Sequence, residues 1–229
     1  MTGDLHDIGK ITFDTEGLKA PEAYQLVLSV RGTEYRNRWG LWVFEAAVTS
    51  PFAVSRRLDA ATIARVEVGE TIVFMPKPDD LKTNAVLGHT CAFWNTLWTD
   101  GQEPHTLGVL NDTNHPVFSH FPSETHSDWH WFELTYRRRA LDIAGTPFKA
   151  VVRVVDDWNE NRDLVLLAEA QVGKGRIIIS AMNLTDNLAE RPVARSMANA
   201  LGQYVAGSGA AAPVMSGADI AAWVERISA

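Results

Sequence analysis

Four of the seven histidines fall in one short stretch, His115 to Glu133, which also holds Asp128, Trp129 and Trp131. His126 and His130 are four residues apart. On a helix they share a face while Asp128 points elsewhere, and on a strand all three align. Imidazole with carboxylate suits zinc or iron. No glutamate follows His126, so the H-E-x-x-H zinc signature is absent. The competing reading is an aromatic core flanked by hydrogen-bonded loop histidines.

Other groups are weaker. Cys91, the single cysteine, could serve as a thiol nucleophile, but Gly88-His89-Thr90-Cys91-Ala92-Phe93 puts bulky Phe93 where a sharp nucleophile turn wants glycine. A buried structural cysteine fits better. Asp157-Trp158-Asn159-Glu160-Asn161-Arg162-Asp163 imitates a calcium loop. Arg162 occupies the glycine position and Ala168 the position of the bidentate glutamate, so a polar turn is expected. Gly173-x-Gly175 leads into a strand and offers no helix terminus to phosphate. No nucleotide-binding glycine motif and no G-x-S-x-G elbow occurs, and no pair among the 28 acids stands out. The eight tryptophans can stack on sugar rings beside Asn, Asp and His, or fill a large core.

The elements that must position these groups change character along the chain. Tyr24, Leu26, Leu28 and Val30 alternate as in a half-buried strand, and Trp39 to Phe44 is a second β run. Ile11-Thr12-Phe13 would add a third. Beyond Ala47 the pattern becomes α/β, with a helix over Leu58 to Val66 capped by Asp59. Buried strands are expected over Glu70 to Met75, Thr106 to Leu110, Ala150 to Val155, Leu164 to Glu169 and Arg176 to Ala181. Continuous apolar runs suit a parallel sheet covered on both faces, and Gly173-Lys174-Gly175 reads as a hairpin turn. Pro192 opens a helix whose Val193, Met197, Leu201 and Tyr204 share one face. Gly207 to Met215 reads as a small-residue linker. Ser216 to Asp219 forms a capping box before Ile220, Trp223, Val224 and Ile227, a stripe that must dock.

Composition narrows the function classes. The length of 229 residues suits one large domain or one domain plus a fragment. A net charge of −7, with Arg137-Arg138-Arg139 as the only basic run, argues against nucleic-acid binding. One cysteine excludes an intramolecular disulfide. No apolar run reaches membrane-spanning length, and the first residues lack the pattern of a signal peptide, which leaves the compartment open.

An ordered series of motifs resembles a known family. It runs through Phe93-Trp94-Asn95-Thr96, His105-Thr106-Leu107-Gly108-Val109-Leu110, His115-Pro116, Phe121-Pro122-Ser123 and His126-Ser127-Asp128-Trp129-His130-Trp131. It continues through Val155-Asp156-Asp157-Trp158-Asn159-Glu160-Asn161-Arg162, Glu169 to Gly175 and Ser180-Ala181-Met182-Asn183-Leu184. Over about residues 20 to 205 this resembles the C-terminal region of bacterial glycoside hydrolase family 2 proteins, relatives of β-galactosidase. Residues 32 to 43 look like the end of the preceding β-sandwich.

The resemblance implies an α/β fold, a flavodoxin-like, three-layer domain akin to class I glutamine amidotransferases. Residues 1–46 would be a β-sandwich remnant, 47–206 the α/β domain and 207–229 a linker with an amphipathic helix. His130 stands where the family has glutamine, and the family's catalytic glutamates lie on a barrel that this chain lacks. The expectation is therefore a non-catalytic accessory module aiding assembly or contacting carbohydrate, with no catalytic residue, metal or cofactor. The candidate contacts are Trp94, Asn95, Trp98, His126, Asp128, His130 and Trp131. Carbohydrate, a catalytic barrel or a second copy are the implied partners, with neither nucleic acid nor membrane. The alternatives are an amidotransferase-like hydrolase using Cys91 with a histidine such as His126, and a metal module of His126, Asp128 and His130. Ser127 and Asp128 read as a helix start, which would bury Trp129 and expose Trp131.

Overall fold

The computed structural model describes residues 3, 6–7, 9–89, 105–207 and 209–229. Two strands come first, β1 (Glu22–Ser29) and β2 (Arg36–Val43), paired antiparallel as a ribbon. Ile11 to Phe13 form no strand. Then follow β3 (Val54–Ser55), α1 (Ala60–Glu67), β4 (Thr71–Phe74), β5 (Gly108–Asn111), α2 (Phe132–Thr135), β6 (Leu141–Asp142), β7 (Lys149–Val155), β8 (Leu164–Val172), β9 (Gly175–Ser180), α3 (Pro192–Ala206), β10 (Val214–Met215) and α4 (Gly217–Ile227). The result is a mixed α/β fold.

The main sheet runs β3-β4-β9-β8-β7-β5, with β6 and β10 pairing opposite ends of β8. Along this path β3, β4 and β9 are parallel and β8, β7 and β5 alternate in direction, while β10 joins β8 in parallel. The expected parallel pairing holds for β3, β4 and β9, and the antiparallel β8–β7 and β7–β5 pairs depart from it. β8 reads as a continuous apolar run because it is covered on both faces, and burial, not strand direction, sets that pattern. The Gly173-Lys174-Gly175 hairpin is present between β8 and β9.

Neighbouring residues of β9 show the two coverings. A Cβ at Gly175 would collide with the Val66 and Glu70 carbonyls at the end of α1. The next side chain, Arg176, stacks on Tyr204 of α3 instead. α4 lies beside α1, and its Trp223 packs against Phe74 and Phe148 while its indole N–H donates to the Asp142 carbonyl. Ile220, Trp223 and Ile227 are buried there, so the apolar stripe docks on its own chain. Asp59 caps α1 through the Thr62 amide, and Ser216 with Asp219 closes the capping box of α4. The segment read as a linker, Gly207 to Met215, contains β10.

The ribbon exposes most of its residues, including Leu26, Val27, Leu28 and Trp39. A lone two-stranded ribbon is marginal in water, and this one is anchored at its exit. Phe44 stacks on Phe121 with ring centres 5.9 Å apart. Arg195 donates to the Glu45 carbonyl, and Asn199 bonds both the Ala47 carbonyl and the Thr49 amide. α3 therefore buries two faces, one on the sheet and one on the connector. Among the described residues, no helix is long and apolar enough to cross a membrane.

Candidate functional site

The ribbon and the body line an open, apolar cleft of about 540 Å³. The ribbon contributes Trp42 and its neighbours, and the body contributes Trp129, His130, Phe132 and Glu133 together with the start of α3. A Cβ at Gly40 would press on the far edge of the folded-back Trp42 ring, which would have to shift. Clefts between substructures that are mostly apolar with a few convergent polar groups are the usual form of small-molecule sites.

The turn carrying the histidine is a single 3₁₀ turn, Trp129–Trp131, with Asp128 accepting from the Trp129 amide at 2.7 Å. The expected division of the two tryptophans is reversed, because the face that Trp129 shares with Phe132 points outward and Phe132 is itself 48% exposed. Trp131 is 0% exposed, packed edge-on to Phe121, with its Nε1–H donating to Ser123 Oγ at 2.9 Å. Trp129 is 67% exposed at the rim of the cavity. Trp131 is thus a core residue, and Trp129 is the side chain a ligand would meet.

His130 is 8% exposed, and neither ring nitrogen has a hydrogen-bond partner. Its ring lies 4.1 Å from that of Trp42 and 5.7 Å from that of Phe121. Burial pushes its pKa down to about 4, against a small opposing pull from Asp128. The imidazole is therefore neutral near pH 7, with one N–H donor and one lone-pair acceptor unspent. An unpaired buried polar group costs about 1–3 kcal/mol, so the ring leaves hydrogen-bonding capacity unspent in the wall of the cavity.

Glu133 also lines the cavity. Its Oε1 accepts from the Ala194 amide at the start of α3, with Arg191 Nε 3.9 Å away. The other expected contacts separate. His126 is exposed, where its backbone bridges to Leu110. Among the described residues no group of three His, Cys, Asp or Glu side chains is arranged to hold a metal, so His126, Asp128 and His130 are not gathered into one site. Trp94, Asn95, Trp98 and Cys91 lie outside the described residues. Trp42, Phe132 and Glu133 were missing from the expected contacts. The signal for Trp42 was its place two residues after a strand glycine.

Two further polar groups are structural. Arg162 bonds Asp156 through Nε and Nη2 and also reaches Asp157, so its guanidinium fills the turn that imitates a calcium loop. Under the sheet, His115 Nε2 donates to Glu169 Oε1 at 3.1 Å, since its Nδ1 accepts from the Val117 amide. The Tyr204 hydroxyl donates to Glu169 Oε2 at 2.6 Å. Burial would raise the Glu169 carboxyl, but these bonds hold it below its ordinary value. Burial and the Glu169 bond push Tyr204 up to about 12.

Sequence comparison places the cavity across a boundary. The model of the family described as Domain of unknown function (DUF8487) matches residues 53–221. The chain belongs to that family. A second model, Domain of unknown function (DUF8488), matches residues 1–45. No curated protein matches the sequence. Trp42 thus comes from the DUF8488 stretch, and Trp129, His130 and Phe132 come from the DUF8487 body.

Proposed function

We propose that this DUF8487 chain is a non-catalytic accessory module of a family-2-like glycoside hydrolase, and that it contacts carbohydrate at the seam between ribbon and body. The single observation that carries the reading is the cavity itself. It offers an exposed indole, Trp129, beside a buried neutral imidazole with both nitrogens unpaired. A sugar presents apolar C–H faces for an aromatic ring and hydroxyls that both donate and accept, and these match the two features.

The flavodoxin-like, amidotransferase-like reading of the body belongs to the same proposal. The parallel strands β3, β4 and β9, with α1 and α3 on opposite faces, support it; the antiparallel β8, β7 and β5 depart from it. The ribbon, with apolar residues exposed on both strands, fits the end of a β-sandwich.

The test is titration of the chain with neutral mono- and disaccharides, followed by tryptophan fluorescence and calorimetry, beside an assay on aryl glycosides. Saturable binding lost in Trp129→Ala, without turnover, is the expected result. Turnover abolished by one acid-to-amide change would overturn the non-catalytic reading. No saturable binding to any sugar would overturn the carbohydrate reading.

A further inference from the structure

A second cavity, of about 350 Å³, lies at the opposite edge of the body, between the β8–β9 turn and the loop leaving α3. Thr71, Gln171, Lys174 and Arg176 bring side chains to it, and Gly207 and Ala210–Ala212 bring backbone. Its described lining contains two cations and no acid.

Arg176 is the unusual member. It is 9% exposed, and its Nη1 is buried without a hydrogen-bond partner. Glu169 Oε2 stands 3.8 Å from Nη1, an ion pair too long for a hydrogen bond, and its own hydrogen bond comes from Tyr204. The guanidinium carbon sits over the Tyr204 ring, 4.5 Å from its centre, a cation–π contact that restrains the group. A buried guanidinium normally spends its donors on carboxylate, phosphate or carbonyl oxygen. Gly209, at φ +74°, lies so close that a Cβ would strike Nη1, so the loop backbone seats directly against the guanidinium.

We propose that this cavity binds a small oxyanion, with Arg176 as the oriented donor and Lys174 as the mobile second cation. The shared ligand chemistry is a negatively charged group with two or more oxygens, supplied by free phosphate or by the carboxylate of an acidic sugar. This site is independent of the aromatic cavity, and neither proposal needs the other.

The experiment uses the full chain at low ionic strength, titrated separately with inorganic phosphate and with glucuronate. Calorimetry is run beside amide chemical-shift mapping. Saturation by at least one anion is expected, with shifts confined to Gln171–Arg176 and Gly207–Ala212. Lys174→Gln alters an exposed turn side chain, so the fold should persist and affinity should fall by roughly tenfold, the scale of one charge-assisted bond. Arg176→Gln should abolish binding, with amide dispersion showing whether the fold is intact. Saturation by phosphate alone identifies a phosphate site, and by glucuronate alone an acidic-sugar site. No saturation by either anion, shifts elsewhere, or a Lys174→Gln protein that binds as tightly as the parent would overturn the proposal.

Discussion

The ring of His130 lies over the indole of Trp42, 4.1 Å between centres and 32° between planes, and through that contact the ribbon meets the body. The stack holds an imidazole away from water with nothing to bond its nitrogens. Its protonation is therefore coupled to the seam.

That coupling predicts a pH dependence. In the folded chain His130 stays neutral down to about pH 4, while the unfolded chain protonates it near 6.5. The depressed value means that protonation favours unfolding in this interval. The contribution is complete above pH 6.5 and is lost as the pH falls toward 4, up to about 3 kcal/mol. His130→Phe keeps an aromatic ring and removes the titration. Denaturation midpoints from pH 7.5 to 4.5 should fall more steeply for the parent than for the variant. Parallel curves would show that the ring is hydrated or paired in solution.

The two tryptophans of the 3₁₀ turn should behave oppositely. Trp131→Ala empties a fully buried site and removes the Nε1–H bond to Ser123 Oγ, and should cost about 3–5 kcal/mol. Trp129→Ala removes a mostly exposed ring and should change stability by about 0.5 kcal/mol or less. Thermal melting of both variants side by side is the measurement, and equal losses would contradict the assignment.

Local signals in the sequence were legible where the physics is local. Asp59 before α1, Pro192 at the start of α3 and Ser216 before α4 each act within one helical turn, and each marks a true boundary. The two tryptophans exchange places because the Trp129–Phe132 face points to solvent, and an apolar i+3 spacing does not reveal which face of a single turn meets the core. β10 was missed because its two residues form a strand only through their partner β8. His115, grouped with the other histidines by spacing, instead pairs with Glu169, 54 residues away, which no local pattern encodes. Trp42 and His130 meet for the same reason, across a tertiary contact.

The Glu169 network supplies a third expectation. Tyr204→Phe removes a donor to Glu169 Oε2 and the acceptor of the Ala210 amide, at 2.6 and 2.9 Å. The cost should be about 1–3 kcal/mol near neutral pH. The Glu169 carboxyl is held below its ordinary value, so its stabilisation is present above the unfolded pKa and is lost as the pH falls through the folded one. Losing the hydroxyl raises that folded pKa. The difference between variant and parent should therefore shrink in acid, as followed by urea denaturation. A difference that stays constant with pH would assign the whole effect to the Ala210 bond.

Gly202 tests how the connector is seated. It lies within α3, where alanine is ordinarily favoured by about 1 kcal/mol. A Cβ there would collide with the Ser50 carbonyl, which is backbone and cannot rotate away. Asn199, three residues earlier, clamps the same segment by bonding Ala47 and Thr49. Overpacking of this kind costs about 1–3 kcal/mol, so Gly202→Ala should be destabilising despite its helix propensity. Because residues 45–50 lead directly from Trp42, displacing them should also loosen the ring contact with His130. The expected result is a lower melting temperature together with a rise in the His130 pKa toward 6.5, read from the imidazole proton shifts. A variant more stable than the parent would mean that the connector is not held against α3 in solution.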